Sequence, residues 1–98
     1  MATNLYVANE IRRQLGPWTF VMIGASKLVG GENFLQFNIG SNPKKVSKVR
    51  VALEPSDTYQ VSFYGRQGKL LSESDDVYCD SLRDVIQSHT GLYTRIGG

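Results

Sequence analysis

VYCDSLRDVIQSHTGLYT, residues 77–94, decides the fold, because it predicts one amphipathic helix with a defined end. The helix is expected to begin near Cys79 or Asp80, where an acidic side chain complements the partial positive charge of a helix N-terminus. Apolar-face positions then recur at the i, i+3, i+4 and i+7 spacing of a helix, and they are Leu82, Val85, Ile86 and His89. Gly91 follows as a natural stop, since glycine tolerates the left-handed backbone that ends many helices.

A second helix is expected near the other end of the sequence. Thr3 or Asn4 can cap it by accepting hydrogen bonds from amides of the first turn, and Gly16 followed by Pro17 ends it. Spacings close to 3.6 residues give this helix a narrow apolar stripe, which consists of Leu5, Ala8, Ile11 and Leu15.

Between the two helices, runs of apolar residues bounded by turn residues predict four or five β-strands. Residues 18–24 predict the first strand, and its apolar side chains on both faces are typical of a covered strand. Residues 25–31 predict a turn in which Gly30 and Gly31 allow positive φ. The later strands are predicted at residues 33–39, 47–54 and 58–64, with a weaker one at 69–74.

Alternation within the later strands places apolar side chains on a single face of the sheet. The inward positions are Leu35, Phe37, Ile39, Val49, Val51, Leu53, Tyr59, Val61 and Phe63. Short turns make neighbouring strands antiparallel, so the strands form a meander and both helices pack on its apolar face. The prediction is an α+β, two-layer fold forming one domain over residues 1–98, with the opposite sheet face open to solvent or to a partner.

Composition and charge exclude several classes of protein. A hydrophobic fraction of 41% excludes a disordered chain, and a net charge of +2 gives no overall field toward DNA or membranes. The charge is unevenly distributed: residues 44–69 carry six basic and two acidic side chains, whereas residues 73–84 carry five acidic and one basic. The surface is therefore expected to be bipolar, the alternative being two patches that neutralise each other in space.

The sequence also carries expectations about the cellular compartment. Cys79 is the only cysteine, so an internal disulfide is excluded and a reducing cytosol is favoured. The first fifteen residues lack the apolar core of a signal peptide, and no stretch approaches the roughly 20 apolar residues that span a bilayer. We expect a soluble protein in the cytoplasm of the host cell, without a membrane interaction.

Polar, cationic and aromatic side chains are expected together on the open sheet face. The central ones are Gln36, Asn38, Lys48, Arg50, Gln60, Ser62 and Tyr64, with Phe34 and Arg66 at the margins. Such a surface can contact a protein, or it can bind single-stranded nucleic acid by pairing cations with phosphates and rings with bases. A solvated face without a partner is the third reading. Lys44 and Lys45, in the loop before Lys48, can contact phosphates or an acidic partner.

The acidic segment before the last helix excludes a double-stranded RNA-binding domain. An α-β-β-β-α order invites comparison with the double-stranded RNA-binding domain, which needs basic residues at the start of its last helix. Asp75 and Asp76 would instead repel phosphate, and they can mimic phosphates toward a basic partner. The candidate partner-binding residues are thus Lys44, Lys45, Lys48, Arg50, Gln60, Tyr64, Arg66, Asp75 and Asp76.

No arrangement of residues predicts catalysis, a cofactor or a metal site. His89, the only histidine, is expected to pack beside the apolar stripe rather than act as a general base. Cys79 has no basic neighbour in sequence to activate it and is expected to be a buried thiol. No His, Cys and acidic residues stand at metal-ligand spacing, and no Lys-Ser/Thr follows Gly30-Gly31 as a phosphate loop requires. We expect a protein that is not an enzyme.

Several segments together resemble a group of small proteins carried by phages, prophages and integrative elements. The resembling stretches are QLG at 14–16, VGGEN at 29–33, residues 49–55 leading to DTY at 57–59, and VY at 77–78 through HTGLYT at 89–94. The resemblance covers nearly the whole chain, and none of its motifs is a catalytic signature. It implies a mobile-element context without an assigned activity.

That context favours stoichiometric binding to a host protein. Small non-enzymatic proteins of mobile elements often bind host proteins, including defence nucleases, so the most concrete expectation is an inhibitor of anti-CRISPR type. The alternative is a nucleic-acid-binding accessory protein that uses the open polar and basic sheet face. The sequence leaves homodimerisation open, because an uncovered edge at the first or last strand can pair with a second copy.

Overall fold

The computed structural model describes residues 6–92, which form three helices and a five-stranded antiparallel sheet. Two short 3₁₀ turns, Arg66–Gly68 and Cys79–Ser81, accompany them. The strands follow one another in the sheet in the order β1-β2-β3-β4-β5. In chain order the elements are α1 Tyr6–Leu15, α2 Pro17–Met22, β1 Ser26–Gly30, β2 Phe34–Asn38, β3 Lys48–Leu53, β4 Tyr59–Tyr64, β5 Leu70–Val77 and α3 Leu82–Thr90.

The predicted α+β meander is confirmed. Helix α1 packs on β2, and α3 packs on β4 and β5, so one sheet face is covered by helices. The alternating apolar positions of the strands point into this layer, because successive side chains of a strand point to opposite faces. The buried strand residues are Leu35, Phe37, Val49, Val51, Tyr59, Val61 and Phe63, as predicted, while Ile39 and Leu53 are partly buried.

Helices α1 and α3 follow their predicted stripes. Ala8, Ile11 and Leu15 are the buried residues of α1, and Leu82, Ile86 and Thr90 are those of α3. Each helix ends at a glycine with positive φ, Gly16 with φ of 83° and Gly91 with φ of 77°, and Gly91 has the left-handed helical conformation. Both glycine stops are therefore confirmed. The expected cap at Thr3 or Asn4 and the stripe residue Leu5 lie outside the described residues.

The predicted first strand at residues 18–24 is wrong, because residues 17–22 form helix α2. Pro17 occupies its first turn, where the fixed φ of proline suits a helix. The backbone amide of Ala25 donates to the Phe20 carbonyl at 2.9 Å and that of Gly24 to Val21 at 3.2 Å, which is the Schellman ending. Gly24 has the positive φ, 65°, that this ending requires.

The predicted turn at residues 25–31 is also wrong, since Ser26–Gly30 form strand β1. Gly30 and Gly31 are outside the set of positive-φ residues. Gly31 is needed for space instead: a Cβ on it would lie 2.1 Å from Cε1 of Phe34. Strand β5 is longer than predicted and runs on to Val77.

Both outer strands of the sheet are irregular. The pairing of β1 with β2 shifts register between Ser26 and Val29, and Lys27 there has a φ of 53°. The pairing of β5 with β4 shifts register twice, and Asp76 of β5 has a φ of 55°. Bulges of this kind bend and twist a strand locally.

Candidate interaction surface

The sheet face opposite the helices carries three rows of facing side chains, and we call it the open face. One row crosses four strands, with Gln36 beside Arg50, Arg50 beside Ser62, and Ser62 beside Glu73. The flanking rows are Asn38, Lys48 and Tyr64 on one side and Phe34, Ala52 and Gln60 on the other. The structure therefore brings Lys48, Arg50, Gln60 and Tyr64 together as predicted.

Arg50 is fixed on the open face by an aromatic ring. Its Cζ lies 4.2 Å from the centroid of the Phe34 ring, a cation–π contact worth about 0.5–1 kcal/mol at an exposed site. Phe34 in turn packs against Gly31, where there is no room for a side chain. Phe34, predicted at the margin of the face, thus holds its central cation in place.

Carboxylates of β5 form the acidic side of the open face. Nε2 of Gln60 donates to Oδ1 of Asp75 at 2.9 Å, and Oγ of Ser62 donates to Oε2 of Glu73 at 3.2 Å. Ser62 is buried although it was predicted to be displayed, since it lies between the Arg50 and Glu73 side chains in its row. Asp76, next to Asp75, is exposed in the irregular part of β5.

A shallow depression of about 370 Å³ joins the two sides of the open face. Arg50 contributes to one wall and Glu73 to another, with Gln60, Ser62 and Tyr64 between them. Cations therefore stand on β3 and carboxylates on β5, separated by the neutral polar side chains of β4. Both charge signs therefore occur within a single face.

A second concave surface, which we call the end groove, lies where two loops meet at one end of the sheet. The loop between β2 and β3 contributes Lys44 and Lys45, and the loop between β4 and β5 contributes Arg66 and Lys69. The groove has a volume of about 840 Å³, and no acidic residue is among those of the described chain that line it. The structure thus brings Lys44, Lys45 and Arg66, which are predicted partner-binding residues, together with Lys69. Lys69 was not among the predicted partner-binding residues and was counted only in the basic segment 44–69.

Hydrogen bonds hold the first of these loops in one shape. Nδ2 of Asn42 donates to the carbonyls of Gly40 at 2.8 Å and Val46 at 2.7 Å, while Oδ1 of Asn42 accepts from the Val46 amide at 3.0 Å. The Ser47 amide donates to the Tyr64 carbonyl at 2.7 Å and ties this loop to the end of β4. The second loop is closed by the Gly65 amide, which donates to the Lys69 carbonyl at 2.8 Å.

The predicted packing of His89 and the predicted burial of Cys79 have different outcomes. The His89 ring stacks on Phe63 with centroids 4.5 Å apart, and its Nδ1 lies 2.9 Å from Oγ of Ser72. The packed histidine is therefore confirmed. The buried thiol is wrong: Cys79 is exposed, because it lies in the 3₁₀ turn before α3 and not on the buried face of that helix.

Burial also changes the pKa of Tyr59, which lies on the helix-covered side of β4. Tyr59 alternates with Gln60 along β4 and is buried against the helices. Burial raises the pKa of the Tyr59 hydroxyl above its usual 10.0, and a hydrogen bond with Gln14 opposes that shift. The two faces of one strand thus place neighbouring residues in different dielectric surroundings.

Exposed apolar residues around α2 were missed with the helix itself. Trp18 and Val21 of α2 and Leu28 and Val29 of β1 are exposed. Treating residues 18–24 as a covered strand hid Trp18 and Val21, and treating residues 25–31 as a turn hid Leu28 and Val29. The signal that reveals them is Pro17 before the run and Gly24 after it, the usual punctuation of a short helix.

Searches for known features and relatives give no assignment. Within residues 6–92, no group of three or more His, Cys, Asp or Glu side chains is placed to hold a metal ion. No helix of that region has the length and apolar character to cross a bilayer. Comparison with protein families, with curated proteins and with solved structures finds no match.

Proposed function

We propose that this chain is a non-catalytic protein that acts by stoichiometric binding to a host protein through the open face. Its most concrete form is an inhibitor of a host defence nuclease, of the anti-CRISPR type. The observation that carries the proposal is the arrangement of cations on β3 and carboxylates on β5 across one solvent-facing surface. A partner with the opposite charge pattern would bind in one orientation, since charge complementarity sets specificity and register.

The spacing of the two charged strands favours a protein over a nucleic acid as partner. Adjacent strands lie about 4.8 Å apart, so the carboxylates of β5 stand roughly 10 Å from the cations of β3. At low ionic strength the Debye length, about 30 Å at 0.01 M, exceeds that separation. Under those conditions Glu73 and Asp75 would repel a phosphate backbone bound to Lys48 and Arg50, whereas a protein can place a cation there.

The context implied by the sequence resemblance supports the inhibitor form. Small non-enzymatic proteins of phages and integrative elements often bind host proteins, including defence nucleases. A 98-residue chain can block such a complex by occupying a surface, without chemistry of its own. The open face supplies an area with fixed charges for this purpose.

One observation favours the second candidate, a nucleic-acid-binding accessory protein. Arg50 and Phe34 form a cation–ring pair and Tyr64 lies beside Lys48, so rings and cations stand together as in single-strand binding surfaces. This candidate predicts binding that weakens steeply with salt and with Arg50→Ala or Tyr64→Ala. The partner-capture experiment below separates the two candidates.

The test is capture of partners from host lysate by tagged protein, in halves treated and untreated with nuclease. We expect one protein to be retained in both halves. Two charge reversals, Lys48→Glu with Arg50→Glu and Glu73→Lys with Asp75→Lys, should each abolish its retention while leaving the thermal unfolding transition intact. The matched control reverses Arg12 and Lys27, which lie outside the open face.

Three outcomes would contradict the proposal. Retention that is unchanged in both open-face variants removes the open face as the contact surface. Retention that disappears with nuclease treatment supports the nucleic-acid candidate instead. If the retained protein is a nuclease complex, its cleavage rate should fall in proportion to added chain up to equimolar ratio, and an unchanged rate excludes the inhibitor form.

A further inference from the structure

We propose that the end groove is a binding site for phosphate groups, separate from the open face and independent of the function proposed above. Lys44, Lys45, Arg66 and Lys69 converge on it from two loops that are distant in sequence. The chemical class of ligand is an oligoanion with several phosphates. Its possible sources are a single-stranded nucleic acid and a free polyphosphate.

The charge of the groove is uncompensated by its own walls. Four positively charged side chains line it, and none of the described residues in the lining is acidic. Two cations outside the groove do stand close to carboxylates, since Arg13 pairs with Glu10 and Arg50 shares a depression with Glu73. A concave surface with one sign of charge concentrates counter-ions of the other sign.

The shape of the groove favours a ligand larger than one phosphate. Its volume is about 840 Å³, within the range of small-molecule sites, which is roughly 300–1,000 Å³. Leu71 and Ile39 add apolar surface to the wall. Lysines bind phosphate as point charges, and Arg66 can bind two phosphate oxygens at once.

The backbone of both loops is pre-shaped before any ligand binds. Lys45 has a φ of 57° and Gln67 a φ of 65°, in the left-handed region that non-glycine residues seldom adopt. The Asn42 side chain holds Lys45 there, because it bonds to the backbone on both sides of this residue. Strained loop residues that are held in place this way occur mostly at binding sites, and pre-shaping reduces the entropic cost of binding.

The experiment measures two probes against the full chain. A short fluorescein-labelled oligothymidine is titrated by fluorescence anisotropy at several salt concentrations, and sodium tripolyphosphate is titrated by amide NMR shifts. Four phosphate contacts predict a log–log salt slope of about −2.8 for the single strand, so affinity should fall about 50-fold between 50 and 200 mM salt. Tripolyphosphate should shift the amides of residues 44–47 and 65–69.

Two variants test the groove. Lys44→Gln with Lys45→Gln, and Arg66→Gln with Lys69→Gln, should each reduce the salt slope to about −1.4, which is about a 7-fold fall over the same salt range. The control, Arg12→Gln with Lys27→Gln, removes the same charge outside the groove and should keep the wild-type slope. Two groove variants are used so that one that fails to fold leaves the other informative.

The outcomes separate the ligand sources from failure of the proposal. Binding of both probes at residues 44–47 and 65–69 supports a general phosphate site, and binding of the oligonucleotide alone there supports a phosphodiester chain. No binding of either probe at 50 mM salt overturns the proposal, as does an equal loss in the control variant. Open-face reversals at Glu73 and Asp75 leave the groove residues in place, so this result and that of the partner capture are read separately.

Discussion

The two faces of strands β3 and β4 are made by the same backbone and yet follow different physical rules. On the covered face, Val49, Val51, Val61 and Phe63 are fully buried beneath the helices. On the open face, Lys48, Arg50 and Gln60 are half-buried, and Arg50 and Gln60 contact neighbouring side chains. Stability depends on the covered face, where apolar area leaves water. The open face is free to carry charge, since its ions stay partly hydrated and avoid the cost of full burial.

The largest predicted difference between the faces is obtained by truncating two successive residues of β2. Phe37→Ala on the covered face should lower the free energy of unfolding by about 3–5 kcal/mol, because it removes a fully buried ring and leaves a cavity. Asn38→Ala on the open face should cost about 0.5 kcal/mol or less. Urea unfolding measures both, and equal losses would show that the two faces do not differ in this way.

A smaller effect on the free energy of unfolding is expected at Gly31, which packs against the Phe34 ring of the open face. Gly31→Ala would place a Cβ 2.1 Å from the Phe34 ring, so the ring must move and its contact with Arg50 must change. We expect a loss of about 1–3 kcal/mol, as for other overpacked sites, and a changed NMR shift of the Arg50 side chain.

Gly40→Ala is the matched control for Gly31→Ala. A Cβ at Gly40 would lie 3.6 Å from the nearest atom, the carbonyl oxygen of Ile23, which is an ordinary contact. This variant should leave both the stability and the Arg50 shift near wild type. A wild-type shift in Gly31→Ala as well would show that Phe34 does not position Arg50.

The pH dependence of stability should reveal the burial of Tyr59 on the covered face. Burial raises the pKa of Tyr59 above 10.0 in the folded chain, so above pH 10 the unfolded chain ionises first and stability falls. Below pH 10 this residue contributes no pH dependence. Tyr59→Phe should make the fall in unfolding free energy above pH 10 shallower, as measured by urea unfolding at several pH values. An unchanged fall would assign it to other groups.

The smallest effect on stability is expected for Gln60→Ala. It removes one exposed hydrogen bond to Asp75 and should change the free energy of unfolding by about 0.5 kcal/mol or less. Because Gln60 orients a carboxylate of the open face, the same change should weaken retention of the host partner in lysate capture. Intact retention would show that the position of Asp75 is unimportant for binding.

The difference between the faces also explains which features were predictable. Phe37 and Phe63 were assigned to the core because strand alternation and burial are linked by geometry. Helix α3 and its Gly91 stop followed from spacing in the same way. Side chains on the open face were placed correctly by the same alternation, but their contacts depend on register between strands, which the sequence does not display.

Two predictions fail in segments of only a few residues. A brief apolar run such as residues 18–24 fits a buried strand and a helix equally well, and only Pro17 and Gly24 distinguish the two. The sequence predicts a buried thiol at Cys79 because no basic neighbour activates it, whereas the residue is exposed in the 3₁₀ turn before α3. The end groove joins two loops far apart in sequence, which no local pattern reveals.

The irregular outer strands affect whether copies of this chain can associate through their sheet edges. A protein that binds its target one-to-one must reach the concentration of that target. At such a concentration, flat and uncovered sheet edges would pair between copies. Here the register shifts at Lys27 and beside Asp76 interrupt the ladder that an incoming strand needs. Edge-to-edge dimers and fibres are both disfavoured by these bulges.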